Sequence, residues 1–287
     1  MLKNIYNYAD QLNFNMKKIA FILCFLFLAI NVNAINPSRN YQWTPEDLGL
    51  KYQRLKIKVN EKIQLNSWVF TQERTGAPFV IVSNGDAGNM ANTLGQAKSF
   101  YEAGYNVVLY DYRGFGESSD FEMNKDMMYY EEFYEDLKAM ISFVKAKYKT
   151  NAIVLYGISM GTIISNMVLQ QDKSIKGAIF DSFAIDPALI VKRIKEKKQK
   201  TVLLPSGLPN YMEGNKTKRE IPVLLFSGLK DAFTQSTDYK EFIALNPGSK
   251  LVTWDCDHIQ CYYEMTKDTT GDLYMLEVKK YIDGLKL

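Results

Sequence analysis

At 287 residues, with 47% hydrophobic and 13% aromatic content, the chain can bury one sizeable core and falls in the range of a single α/β domain, which excludes a disordered or collagen-like polymer. The formal net charge is +3, and Lys3, Asp10, Lys17 and Lys18 supply +2 of it, so everything after Ala34 carries only about +1. That balance gives no support to a global nucleic-acid-binding role.

The first element is a targeting signal. Lys17-Lys18 precede the uninterrupted apolar run Ile19 to Ile30, and Val32-Asn33-Ala34 follow, which reads as a charged n-region, an h-region and a small-residue cleavage site. The run is shorter than the roughly 20 residues that span a bilayer, so cleavage near Ala34 and export to the periplasm or the cell exterior are expected ahead of a membrane anchor. Met16 then reads as the start and residues 1–15 as an upstream extension, leaving one domain over 35–287. Cys24 follows the bulky Ile22 and Leu23, where a lipoprotein signal requires small residues, so lipidation is not expected.

Strand patterns begin with 52–59 and 63–70, which alternate apolar and polar residues and are joined by Asn60-Glu61-Lys62. Period two with a short connection predicts an antiparallel hairpin at the edge of a larger sheet. Beyond Pro78 the strands change character. The runs 79–82, 107–110, 153–156, 178–180 and 223–226 are continuously apolar, as parallel strands covered on both faces require. Helical stretches at 91–103, 127–147, 162–171 and 237–245 separate them, so the order is β-α repeated around a mostly parallel sheet with helices on both faces.

The loop after Val82, Ser83 to Met90, carries Gly85 and Gly88 among small residues, so its backbone can approach a ligand closely. Its spacing fits neither a P-loop nor a dinucleotide fingerprint, which leaves an ordinary turn or one arm of an oxyanion hole, with the Asp86 amide as the first candidate donor. The strand 152–156 runs into Gly157-Ile158-Ser159-Met160-Gly161 and then into a helix. A sharp strand-to-helix turn strains its central residue and brings its neighbours too close for side chains. Glycines therefore flank Ser159, whose hydroxyl stands at the sheet edge as a candidate nucleophile with the Met160 amide as a second oxyanion donor.

A serine hydroxyl needs a base at neutral pH, and the chain has one histidine, His258, which follows the strand 250–254 and so leaves the sheet at the edge that carries Ser159. Asp231, after the strand 222–227, fits the acid that orients it. Asp181, at the end of the preceding strand, and Asp238, read as a helix-capping residue, are rivals, and Asp257 points elsewhere. One histidine without a tight carboxylate cluster supplies no usual metal-ligand set, and no cofactor motif is present, so neither a metal nor a cofactor is expected.

Regular alternation stops over 183–221, which reads as a helical cap insertion. Its helix 187–200 has apolar Leu189, Ile190 and Ile194 beside a basic face. Between Lys192 and Lys200 six basic residues oppose Glu196 alone, a local +5. The face is either a lid that meets an anionic membrane or acidic substrate, or a solvated lysine-rich surface. Cys256 and Cys261 bracket His258, and in an exported chain that has shed Cys24 the pair is expected to form a disulfide that fixes the histidine loop.

Taken together, Ser83 to Asn89, Asp111 to Ser118, Gly157 to Gly161, Gly228 to Asp231 and His258 resemble the successive motifs of the α/β-hydrolase superfamily, with the Bem46-like serine hydrolases as the nearest group. The resemblance spans about Lys56 to Ile282. It implies an α/β-hydrolase fold, a Ser159, Asp231 and His258 triad, oxyanion donors at the Asp86 and Met160 amides, and a mainly structural turn at Asp111 to Ser118. One departure is Asn84-Gly85 where that group has His-Gly. The function expected is an exported serine hydrolase that acts on an ester, thioester or amide of a small-molecule or lipid acyl substrate. A serine peptidase of the same fold and a catalytically silent binding protein on a hydrolase scaffold are the alternatives.

Overall fold

Alternation at the start of the chain and continuous apolarity further on translate into different depths in one sheet. The computed structural model describes residues 33–287, in which Ala34–Leu287 form one unit. The extension and nearly all of the expected signal lie outside the described residues.

A short strand β1 (Asn36–Pro37) is followed by β2 (Gln53–Lys58) and β3 (Gln64–Phe70), then by β4 (Phe79–Ser83), β5 (Ala87–Gly88), β6 (Asn106–Tyr110), β7 (Ile153–Ile158), β8 (Gly177–Asp181), β9 (Val223–Gly228) and β10 (Lys250–Trp254). Eight of them form a sheet in the order β10-β9-β8-β7-β4-β6-β3-β2. β2 and β3 are the expected antiparallel hairpin, β3 pairs antiparallel with β6, and every other pairing is parallel. β1 and β5 pair separately and in parallel.

The central strands are buried along their whole length because successive side chains enter two different cores. Phe79, Ile81, Ile153 and Leu155 pack on one face with α2 (Tyr130–Tyr148) and α3 (Met160–Gln171). Val80, Val82, Val154 and Tyr156 pack on the other with α1 (Leu94–Glu102) and the C-terminal α8 (Asp272–Asp283). α2 starts three residues later than its pattern suggests, because Met127 bridges to Leu203 and Met128 donates to the Leu203 carbonyl at 3.0 Å.

Between β8 and β9, the insertion expected over 183–221 holds α4 (Pro187–Lys198) and a second helix, α5 (Leu208–Gly214), that was not foreseen. α6 (Lys240–Leu245) and the four-residue α7 (Cys261–Glu264) complete the set. Arg193 of α4 donates to both carboxylate oxygens of Asp238, at 2.5 and 2.9 Å, and anchors the insertion to the segment after β9. No helix among the described residues is long and apolar enough to cross a membrane.

Candidate active site

Parallel register places the ends of neighbouring strands side by side: Ser83 pairs with Gly157, Ile158 with Asp181, Asp181 with Phe226, and Gly228 with Trp254. The loops that leave those ends carry the candidate residues, and their side chains converge.

Ser159 sits at φ 49° and ψ −116°, a conformation an L-residue holds only when its surroundings impose it. The flanking glycines show what imposes it. A Cβ on Gly157 would lie 2.7 Å from the Gly161 carbonyl oxygen, and one on Gly161 would collide with the carbonyls of Ser83 and Asn84. The Ser159 amide donates to the Asp181 carbonyl at 3.0 Å, and α3 begins at the next residue. The hydroxyl thus projects from the turn to lie 2.9 Å from His258 Nε2.

On its other side, His258 Nδ1 lies 2.7 Å from Asp231 Oδ2. Asp231 is buried and receives further bonds, from the Phe233 amide at 2.8 Å, the Thr234 amide at 2.9 Å and the Thr234 hydroxyl. Burial works to raise this carboxyl, but the hydrogen bond and charge of His258, with the Thr234 donors, hold it below the ordinary carboxylate range. An ionised Asp231 accepts a hydrogen bond from the Nδ1–H group and leaves Nε2 as the acceptor facing Ser159. The arrangement can therefore move a proton from the Ser159 hydroxyl to His258 Nε2. The edge of the Phe233 ring approaches the imidazole, with centroids 6.0 Å apart.

The rivals are placed differently. Asp238 takes part in a capping box at Gln235 and in the ion pair with Arg193. Asp257 accepts from the His258 amide at 2.7 Å and touches neither Ser159 nor Asp231. Asp181 is buried beneath the site, and burial pushes its carboxyl up to about 7.

Across from the helix start, a Cβ on Gly85 would lie 3.9 Å from that of Ser159, so the Gly85-Asp86 segment runs against the serine. The Asp86 carbonyl accepts from the Asn36 amide at 2.8 Å, and the Gly88 carbonyl accepts from Ser38 at 2.7 Å, so the strand β1 braces this loop. Asn84 is buried and its carbonyl receives the Tyr112 hydroxyl at 3.1 Å. Burial also pushes up the Asp86 carboxyl, against the charges of His258, Lys198 and Lys200.

The turn Asp111 to Ser118 is a bracing hub. Asp111 accepts from the Met90 amide at 2.8 Å and from the Tyr41 hydroxyl, while Arg113 forms bonds of 2.9 and 2.6 Å with Asp136. Sequence reasoning missed Tyr41, Thr234 and Phe233, for which short polar or aromatic loops offer no local signal.

The expected Cys256–Cys261 disulfide is absent. Both are free, buried thiols with Sγ atoms 3.4 Å apart, in contact but not bonded across the turn that carries His258. Burial raises both thiols, so little thiolate exists to attack an oxidant or a disulfide. The described residues contain no group of three or more His, Cys, Asp or Glu side chains able to hold a metal ion.

Residues 77–210, just under half of the chain, match the family described as serine aminopeptidase, S33. The Saccharomyces cerevisiae uncharacterized membrane protein YNL320W is 24% identical over 218 residues, 74% of each chain. The Schizosaccharomyces pombe protein bem46 is 32% identical over 85 residues, 29% of this chain and 28% of that one. Among solved structures, the Pyrococcus furiosus esterase Pf2001 superposes with a TM-score of 0.67 at 22% identity, covering 86% of this chain and 98% of its own. A mostly parallel sheet with a serine-bearing strand-to-helix turn after its central strand defines the class, and the chain has the α/β-hydrolase fold.

Proposed function

We propose that the protein is a serine hydrolase that cleaves an ester, thioester or amide through an acyl-enzyme on Ser159. The observation that carries this reading is the continuous relay from Ser159 Oγ through His258, at 2.9 Å, to Asp231, at 2.7 Å. As Ser159 Oγ attacks the carbonyl carbon, its proton passes to His258 Nε2, and Asp231 stabilises the imidazolium. The oxyanion is received by the amides of Asp86 and Met160, the second at the start of α3, where helix geometry leaves the N–H groups without intrahelical partners. His258 then protonates the leaving group, which departs as alcohol, thiol or amine. A water deprotonated by the same nitrogen attacks the acyl-enzyme, releases the acid and restores Ser159.

A fluorophosphonate should label wild-type protein at Ser159 and leave Ser159→Ala unlabelled. Turnover of acyl esters should fall about 10⁴-fold or more in Ser159→Ala and His258→Ala, and less in Asp231→Asn. Undiminished turnover in His258→Ala would refute the reading, since no second histidine exists to replace it. The description of the matched family favours one second reading, an aminopeptidase. A panel of short and long acyl esters beside aminoacyl amides separates the two, because a peptidase would prefer the amides with a free amine.

A further inference from the structure

We infer that Ser182 is a positioning residue that holds the His258 imidazole in line with Ser159 by gripping the main chain of Ile259; this rests on the acyl-transfer reading above. Ile259, next to the histidine, has φ 56°. A β-branched residue in the left-handed region is an outlier, because its Cβ crowds its own carbonyl. Packing does not compensate, for the Ile259 side chain is among the exposed large apolar groups. The restraint is polar: the Ile259 amide donates to Ser182 Oγ at 2.8 Å.

Ser182 is itself fixed. It is fully buried at φ 58°, its amide donates to the Phe226 carbonyl at 3.0 Å, and its hydroxyl faces Asp181 Oδ1 at 3.4 Å. The carbonyl of the preceding Asp181 is the group that receives the Ser159 amide. A single dipeptide at the end of β8 therefore touches the main chain of the nucleophile on one side and that of the residue after the base on the other. Asp231 and Ser159 hold the imidazole ring itself, and the other main-chain bonds of the turn act elsewhere. Asp257 and Gln260 bond within the turn, and Lys230 donates to the Cys256 carbonyl at its base, at 3.0 Å. Only Ser182 ties the tip of the turn to the sheet among these contacts. Without its oxygen, Ile259 relaxes toward ordinary φ values and carries the His258 Cα with it. Displacement of a catalytic group by an ångström costs about 10²-fold in rate.

The test uses Ser182→Ala and Ser182→Gly, both of which lack the oxygen, the glycine also relieving the strain of residue 182 itself. Expected in both is a fall in kcat of about 10- to 100-fold with KM little changed, at an unaltered far-ultraviolet spectrum. Adding Ile259→Gly to Ser182→Gly should recover part of the loss, because glycine adopts the left-handed conformation unaided. Because the chain has one histidine, the imidazole Nδ1–H resonance belongs to His258 without ambiguity. It should broaden or vanish in the Ser182 variants and return in the double variant, a readout independent of turnover. Wild-type kcat with a sharp imidazole signal in Ser182→Gly would overturn the inference. Loss of activity with no recovery from Ile259→Gly and an unchanged imidazole signal would overturn it as well. Active Ser159→Ala protein would instead refute the acyl-transfer reading, and the imidazole signal would still decide the role of Ser182.

Discussion

Asp181 and Asp231 leave adjacent strands, both buried, yet their carboxyls shift in opposite directions. Asp231 is surrounded by donors that favour its anion: the imidazole, two amides and a hydroxyl. Asp181 has burial as its largest influence, with a Ser182 hydroxyl 3.4 Å away as a weak donor. The signs for stability are opposite. Asp231 contributes stability that is present above its unfolded value and is lost as pH falls through the lowered folded value. Asp181 keeps its proton in the folded protein up to about 7 but loses it near 3.8 when unfolded, so folding weakens as pH rises between those values. Asp181→Asn cannot ionise, and its unfolding free energy relative to wild type should therefore rise between pH 5 and pH 8, by an amount on the order of 2–3 kcal/mol, read from denaturant melts. A pH-independent difference would show that Asp181 does not titrate in this window. Ser159 and His258 were legible from sequence because each carries its own signal, a glycine-flanked elbow and a singular imidazole. Thr234 and Ser182 carry none, since a hydroxyl gains its role only from the loop that folds against it.

At the scale of elements, the site depends on how tightly the elbow packs under its neighbour. Gly161 lies in the first turn of α3 with the carbonyls of Ser83 and Asn84 where its Cβ would be. Gly161→Ala must push the β4 loop or α3 aside, and both bear candidate oxyanion donors. We expect a destabilisation of about 1–3 kcal/mol and a further loss of activity in the protein that remains folded, measured by denaturant melts beside ester turnover. An unaltered midpoint would mean that the two segments are looser than this packing implies. The strands and the long helices followed from apolar periodicity. Helix α5 did not, because it is short and reads as a Gly-Pro loop: Gly207 caps it and Pro209 sits in its first turn. The pairing of β1 with β5 was equally hidden, as two-residue strands have no period to detect.

For the molecule as a whole, the leading segment joins the site to the start of the fold. Ile35 is fully buried and donates its amide to the Lys125 carbonyl at 3.1 Å, and Asn36 then braces the Asp86 loop. Export with cleavage after Ala34 would release a chain whose first residues are those that hold this loop. Terminal sequencing of the exported protein should read Ile35-Asn36-Pro37, and a terminus at Met1 or Met16 would refute processing there.

The sequence by itself determined the sheet-and-helix alternation, the edge hairpin and the order of Ser159, Asp231 and His258, because apolar period and glycine placement are local consequences of backbone sterics and burial. It left Asp181 and Asp238 as rivals of Asp231, and it favoured a disulfide between Cys256 and Cys261. Tertiary structure decided both matters. Which carboxylate meets the imidazole depends on strand register and on the curl of loops that place Asp231 Oδ2 at 2.7 Å while Arg193 takes Asp238. Whether two thiols bond depends on the turn between them, which leaves the Sγ atoms of Cys256 and Cys261 3.4 Å apart. The contact of Asp231 with His258 joins residues distant in the chain, and the conformation of the cysteine turn is fixed by what packs on it, so no local pattern encodes either distance.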